Sequence, residues 1–254
     1  MTVTTLAPTY IDPAHFADAL KTLGYGVLSP TGFGAFVGCP LSELETLKTD
    51  WDDLPLDNFL KDGGRYRRRR HSCFVVGQEN IRQVSHRAHY QPLKYNALHG
   101  GMLRLFEPIS SRTVAQPVWS KLLLSIARVC SAVKGERSWY VEAHQFRIDT
   151  CNGIGRPTPE GAHRDGVDFV AILLVARENV SGGESRIFEA EGPHGQRFTL
   201  SEPWTLILLD DQRVIHESTP IQPTAADGHR DTLVLTFRAG GFLEPPNNSS
   251  EERK

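Results

Sequence analysis

The chain has 254 residues, with 28 Lys and Arg residues against 30 Asp and Glu residues and a formal net charge of -2. This length allows one large domain with a buried core. The near-balance of charge gives no general attraction to nucleic acid or to anionic membranes. The four cysteines are scattered and include no C-x-x-C pair, which favours reduced thiols in a cytoplasmic protein.

The beginning of the chain carries no recognisable targeting signal. Its first residues lack the basic region and apolar stretch of a secretion signal, and no later run approaches the roughly 20 apolar residues of a membrane helix. We therefore expect a cytoplasmic protein without a membrane partner.

Residues 1–138 are expected to be mixed and partly helical. A helix is predicted from Asp12 as N-cap to Gly24 as stop, with a proline at its first position. A second helix is predicted from Ser42, with Ser42 and Glu45 as a capping box. The most regular helical pattern runs from Pro117 to Lys134, and we expect this helix to pack against a sheet.

From residue 139 onward, short apolar or alternating runs replace the helical patterns. Turn-forming pairs such as Asn152-Gly153 and Asp227-Gly228 separate them. The predicted strands are Trp139–Ile148, Phe169–Ala176, Ser185–Phe188, Trp204–Leu209, Val214–His216 and Thr232–Phe237. This spacing predicts a mainly β fold with flanking α-helices, built as an antiparallel sandwich or jelly-roll barrel. We expect one domain over residues 1–244, with its β core over 139–240, and a mobile tail over 245–254.

Two histidines and one aspartate are the candidate metal ligands. His163 and Asp165 stand two apart at the predicted start of a strand, so both can point to one face. Alone, this pair is also typical of a solvated loop. His216 begins a later strand, and two imidazoles with one carboxylate suit Fe(II) with positions left open for substrate and O2. A hydrogen-bonded core histidine is the alternative for His216.

Arg230 and Thr232 are the candidate ligands for an anion near that metal. They stand two apart in a predicted strand and therefore share a face. A planar guanidinium and a hydroxyl can hold a carboxylate together. The alternative is an arginine at a strand end paired with Asp or Glu.

With these residues in this order, the sequence resembles the iron(II)- and 2-oxoglutarate-dependent dioxygenases, whose fold is a double-stranded β-helix of jelly-roll type. The resemblance runs from His163 to Phe237, in the order His-x-Asp, His and Arg-x-Thr. The segments VEAHQFRI, PEGAHRDGVDFVAILLVARENVSGGESRIFE and ILLDDQRVIHESTPI are similar to the small bacterial subfamily that includes L-isoleucine-4-hydroxylase and related free amino acid hydroxylases.

The resemblance implies a site and a reaction. His163, Asp165 and His216 would hold Fe(II) as catalytic residues, and Arg230 and Thr232 would bind 2-oxoglutarate. The implied reaction hydroxylates a C–H bond, with 2-oxoglutarate and O2 converted to succinate and CO2 and with ascorbate supporting activity in vitro. The expected substrate is a free L-amino acid or a closely related small molecule.

The strand before the metal loop supplies the predicted substrate contacts. Its residues alternate between two faces, so either Glu142 with His144 or Gln145 with Arg147 faces the interior. A free amino acid needs a cation for its carboxylate and an acceptor for its ammonium group. We therefore predict substrate contacts among Glu142, Gln145 and Arg147, with exposed cross-strand pairing as the alternative.

The run Arg65–Arg70 is the strongest local charge feature. As a strand, it can direct alternate arginines inward to an acidic substrate group and the others to solvent. A solvated edge strand is the alternative, and a nucleic-acid contact is a third reading.

Two other functions compete with amino acid hydroxylation. A nucleic-acid dealkylase of the same superfamily would show two arginines separated by five residues, whereas Arg230 and Arg238 are separated by seven. A non-oxygenase cupin-like protein can use the same ligands for Zn(II) or for a small ligand, although Arg230 then has no task. We expect a small-molecule substrate and no nucleic-acid partner.

Overall fold

The computed structural model describes residues 6–246, and the predicted tail 245–254 therefore lies outside it except for Pro245 and Pro246. The helices are α1 Phe16–Leu23, α2 Pro30–Val37, α3 Leu41–Glu45, α4 Ser111–Val114 and α5 Pro117–Lys134, with 3-10 turns at Pro13–His15 and Lys48–Asp53. In this part of the chain, no helix has both the length and the apolar character needed to cross a membrane.

The first strands are β1 Tyr25–Leu28, β2 Arg67–Val76, β3 Ile81–Gln83, β4 His89–Tyr90, β5 Leu103–Arg104, β6 Trp139–Asp149 and β7 Phe169–Glu178. They are followed by β8 Val180–Gly182, β9 Glu184–Glu189, β10 Gly195–Thr199, β11 Leu206–Asp210, β12 Val214–Ser218, β13 Ile221–Pro223 and β14 His229–Ala239. The predicted strands are all present, and β6, β7 and β14 extend beyond them because their pairing with neighbouring strands continues.

Two helices begin and end where the sequence predicts. The Asp12 carboxylate accepts a hydrogen bond from the backbone N–H of Ala14 at 2.8 Å, and a 3-10 turn leads from there into α1. Gly24, at a φ of 78°, ends α1 in the left-handed conformation that glycine adopts readily. Helix α5 spans Pro117–Lys134 and buries its apolar stripe, as predicted.

The predicted capping box at Ser42 is wrong. Helix α3 starts one residue earlier, after Pro40, and no side chain caps it. Ser42 therefore lies within its first turn and cannot act as the N-cap. Helix α2 was not predicted, because two glycines interrupt its pattern, yet the Ser29 hydroxyl caps it by accepting from the Gly32 N–H at 3.1 Å.

The strands form one large and one small antiparallel sheet. The large sheet has the order β1-β11-β7-β14-β6-β2-β3, and the small sheet has the order β10-β9-β12. In β7, Phe169 and Leu173 pack with α1 and α5, whereas Val170 and Leu174 pack with residues of the small sheet. The fold is the predicted mainly β jelly roll, a double-stranded β-helix flanked by helices. A cavity opens between the sheets.

Candidate active site

His163, Asp165 and His216, which we call the His-Asp triad, meet at the cavity. The backbones of His163 and His216 form an antiparallel bridge with two hydrogen bonds of 3.0 Å, which sets their rings 4.7 Å apart. Nε2 of each ring lies 3.7 Å from a different carboxylate oxygen of Asp165. These separations exceed those of hydrogen bonds and suit three ligands around one ion.

The ring nitrogens of the triad are oriented for metal binding. Nδ1 of His163 lies 2.9 Å from the carbonyl oxygen of Gly161 and donates to it, which leaves Nε2 as the free ligand atom. Burial alone would lower the pKa of His163, but Asp165 outweighs it and raises the pKa to about 10. Burial lowers the pKa of His216 to about 4. Both rings compete for one carboxylate, and a metal ion bound by all three residues would satisfy them together.

Two further residues hold Asp165 in place. Nε2 of Gln91 donates to Oδ1 of Asp165 at 3.0 Å. The carboxylate of Asp211 accepts the backbone N–H groups of Asp165, Gly166 and Val167 at 2.9, 2.8 and 3.1 Å. Burial and the charge of Asp165 raise the pKa of Asp211 to about 6. Contacts of this kind orient metal ligands.

Arg230 and Thr232 line the same cavity, as their two-residue spacing predicts. Arg230 is only 4% exposed, and its Nε has no hydrogen-bond partner among the described residues. No carboxylate in that part of the chain forms an ion pair with it, and burial together with Arg177 lowers its pKa to about 10. Because an unpaired buried charge is costly, this part of the cavity fits an anionic ligand.

The faces of β6 separate the predicted substrate contacts. Glu142 and His144 line the cavity, together with the other even-numbered residues that follow in the strand. Gln145 is fully buried on the opposite face. Arg147 also points away, and its Nε and Nη2 donate to Asp231 at 2.8 and 2.7 Å. Gln145 and Arg147 therefore do not reach the cavity, because the alternation of the strand directs them to its other side.

A second group, the glutamate cluster, also brings metal-binding side chains together: His71, His89, Glu142 and His144. Nη2 of Arg69 donates to Nδ1 of His144 at 2.7 Å. Because arginine only donates, the neutral His144 ring carries its proton on Nε2, which faces Glu142 at 3.8 Å and has no lone pair for a metal. The His-Asp triad is the better metal centre.

The arginine run forms the first half of β2, which pairs with β3 on one side and β6 on the other. It is therefore not a solvated edge strand. Arg67 and Arg69 are buried and line the cavity, whereas Arg68 points to solvent, as the predicted alternation requires. Nε of Arg67 donates to the buried Asp57 carboxylate at 2.8 Å. The inward arginines face the cavity instead of an external nucleic acid.

Four residues of the segment between β3 and α4 line the cavity and were missed from the sequence: His89, Gln91, Asn96 and Arg104. Nδ1 of His89 donates to Oε2 of Glu142 at 2.6 Å, and Nδ2 of Asn96 donates to Oε1 of Gln91 at 3.1 Å. This segment has short strands and no regular period, so its only sequence signal is its content of polar side chains.

Comparison with solved structures reveals one similar protein at high sequence identity. The crystal structure of a bsmA homolog from Methylobium petroleophilum PM1 is 48% identical, with a TM-score of 0.89, and the alignment covers 96% of this chain and 100% of that chain. None of the curated proteins matches this chain.

More distant structures share the fold. IDO from Bacillus thuringiensis is 18% identical with a TM-score of 0.73, over 92% of this chain and 100% of that chain. An oxidoreductase of the 2OG-Fe(II) oxygenase family from Burkholderia pseudomallei is 16% identical with a TM-score of 0.56, over 96% of this chain and 98% of that chain.

The family model of the 2OG-Fe dioxygenases matches residues 48–236. The matched region contains the His-Asp triad, Arg230 and Thr232. It covers most of the chain and the whole cavity-facing part of β14 up to Thr236. The protein therefore belongs to the 2OG-Fe dioxygenase family.

Proposed function

We propose that this dioxygenase hydroxylates a free L-amino acid or a closely related small molecule. The observation that carries the proposal is the sharing of one cavity by the His-Asp triad, the unpaired Arg230 and a set of cationic and acidic side chains. The family accounts for the first two features. The third is the environment that a small zwitterion requires.

The His-Asp triad would hold Fe(II), because its donor set is the two-histidine, one-carboxylate arrangement typical of such oxygenases. Arg230 and Thr232 would bind the distal carboxylate of 2-oxoglutarate. When bound, Fe(II) and 2-oxoglutarate supply with O2 the oxidising chemistry that places one oxygen atom in a substrate C–H bond and the other in succinate, with release of CO2.

The protein's own contribution is position and exclusion of water. Gln91 and Asp211 fix the orientation of Asp165. Ile187 and Ile207 line the cavity with apolar surface, which keeps water away and strengthens the attraction between Arg230 and an anion.

The amino acid substrate is supported by the chemistry of the remaining wall. Glu142 can accept from an ammonium group, and the buried arginines of β2 and β5 can receive a carboxylate. The motif segments that resemble free amino acid hydroxylases agree with this choice. Arg147, considered for the carboxylate from the sequence alone, has no part in it because it pairs with Asp231.

The experiment that tests the proposal is succinate formation from 2-oxoglutarate, under air with Fe(II) and ascorbate, against a panel of L-amino acids. Stimulation by one or a few of them, with a product heavier by one oxygen atom in mass spectrometry, is the expected result. A panel without stimulation, in protein that binds both Fe(II) and 2-oxoglutarate anaerobically, would refute the amino acid substrate.

The competing readings make different predictions. A nucleic-acid dealkylase would bind DNA or RNA with a steep dependence on salt. The non-oxygenase cupin-like reading does not agree with membership of the dioxygenase family.

A further inference from the structure

Arg104 is a buried cation without a partner. It lies at the end of β5 and lines the cavity, yet it is only 2% exposed. Its Nε has no hydrogen-bond partner, and none of its guanidinium nitrogens forms an ion pair with a carboxylate among the described residues. Arginines are almost never buried in this state, because an unpaired charge in a protein interior is strongly unfavourable.

The neighbouring arginines add unused donors. Nη2 of Arg67 and Nε of Arg69 are buried without a hydrogen-bond partner in the described part of the chain. Asp57 is the carboxylate closest to both, at 2.8 Å from Arg67 and 3.8 Å from Arg69. Burial and the charge of Arg67 lower the pKa of Arg104 to about 10. The wall therefore offers more donors than its own acceptors use.

The acidic groups that share this wall are engaged elsewhere. Glu142 accepts from Nδ1 of His89 at 2.6 Å and is flanked by two further histidines. Glu160 lies 3.5 Å from Nε2 of His163. Neither carboxylate comes within ion-pair distance of Arg104.

The sheet register places an acceptor beside this cation. Arg104 of β5 is directly opposite His89 of β4, and opposite residues of antiparallel strands project to the same side with Cβ atoms about 5 Å apart. Because Nδ1 of His89 donates to Glu142, the other ring nitrogen of neutral His89 is an acceptor. An anion site and an acceptor site are thus adjacent.

We infer that Arg104, with the free Nη2 of Arg67, is an arginine subsite that binds a carboxylate of the substrate, while Glu142 and His89 receive its ammonium group. This inference rests on the proposed function, in which Arg230 is occupied by the cosubstrate. It gives each unpaired arginine of the cavity its own anion. The carboxylate is either the α-carboxylate or the side-chain carboxylate of an amino acid.

The test is ligand binding to protein loaded anaerobically with Fe(II) and 2-oxoglutarate, measured as the rise in melting temperature with each common L-amino acid. We expect at least one L-amino acid to stabilise the wild-type protein. Its α-amide should bind about tenfold more weakly or worse. If instead only L-aspartate and L-glutamate bind and their α-amides bind equally well, the side-chain carboxylate is the group held.

Three variants complete the test. Arg104→Met should weaken amino acid binding by about 10- to 100-fold, because a hydrogen bond to a charged group is lost, and Arg104→Lys should retain part of it. Arg68→Met, a change of the same type at an exposed position of β2, should bind like the wild type. Without amino acid, Arg104→Met should melt at or above the wild-type temperature, because an unpaired buried charge is removed.

Two results would overturn the arginine subsite: equal amino acid binding by Arg104→Met and the wild type, or a marked fall in the melting temperature of the ligand-free variant, which indicates a structural role. An absence of stabilisation by every L-amino acid would overturn it as well. Amino acid binding that depends on Arg104, without succinate formation in any mixture, would instead refute the proposed oxygenase reaction and retain the subsite.

Discussion

The cavity contains two groups of histidines and carboxylates with nearly the same composition and different protonation. In the His-Asp triad, Nδ1 of His163 donates to a backbone carbonyl, and Nε2 is free for a metal. In the glutamate cluster, Nδ1 of His144 accepts from Arg69, so its proton lies on the ring nitrogen that faces Glu142. The partner of the other ring nitrogen therefore decides which group can bind a metal.

The surroundings of the two groups differ in the same direction. Asp165 is held by Gln91 and by the loop that Asp211 fixes, so the triad is prepared as a ligand set. The glutamate cluster lies beside the buried arginines Arg69 and Arg104, whose charges oppose binding of a cation. One end of the cavity suits a metal ion, and the other suits an anionic ligand with an acceptor beside it.

The largest effect should separate the two groups directly. His216→Ala should abolish turnover and the binding of Fe(II), because a triad ligand is removed. His144→Ala, which also removes a buried histidine of the cavity, should leave one Fe(II) bound per chain. Metal analysis after anaerobic dialysis measures both, with circular dichroism as the control for folding. Two Fe(II) ions per wild-type chain, one of them lost in His144→Ala, would show that the glutamate cluster binds metal.

Asp57→Asn should cause the largest loss of stability. The change leaves two buried arginines without their carboxylate, and removing one partner of a buried ion pair costs about 3–5 kcal/mol. The free energy of unfolding from denaturant titration at pH 7 measures it. Asp53→Asn, at a carboxylate that is 99% exposed beside Arg70, is the matched control and should change little. Equal stability of both variants would contradict the prediction.

The same pair predicts a dependence of stability on pH. Burial alone would raise the pKa of Asp57, but Arg67 and Arg69 outweigh it and lower the pKa below its ordinary value. The stabilisation is therefore complete above the ordinary pKa of about 4 and is lost as the pH falls through the lower folded value. Asp57→Asn should lose less stability than the wild type over this acidic range. Parallel curves for the two proteins would count against the pair.

Arg230→Met should raise the KM for 2-oxoglutarate by about 10- to 100-fold, because the charged donor for the distal carboxylate is removed. The fold should not suffer, since Arg230 forms no ion pair within the described residues. Initial rates at varied 2-oxoglutarate measure the effect. Arg197→Met, at an exposed position of β10, should keep the wild-type KM, and an unchanged KM in Arg230→Met would remove Arg230 from the cosubstrate site.

Gln91→Leu should have the smallest effect, a loss of about 10- to 100-fold in metal affinity or activity, as is usual when a residue that orients a metal ligand is removed. Competition with a chelator measures the affinity for Fe(II). Gln222→Leu, at an exposed position of β13, serves as the control. Wild-type affinity in Gln91→Leu would mean that Asp211 alone suffices to orient Asp165.

The sequence determined those features that depend on neighbouring residues. Pro117 and Gly135 bound α5 because proline suits a first helical turn and glycine a stop. The period of two in an extended chain put Arg230 and Thr232 on one face of β14, and it separated Arg67 and Arg69 from Arg68 in β2. Ser42 shows the limit of such signals, because the helix starts one residue before it.

The tertiary structure decided which faces and segments meet. Alternation alone left two choices for β6, and only the packing of the large sheet turned Glu142 inward and Arg147 toward Asp231. Gln91 and Asp165 are 74 residues apart, and their contact requires the β4–β5 segment to lie against the metal loop.

Arg104 carries no sequence signal, since its isolation depends on the absence of nearby carboxylates in three dimensions. Local spacing specifies the direction of a side chain, but long-range packing alone specifies what that side chain faces and whether its charge is paired.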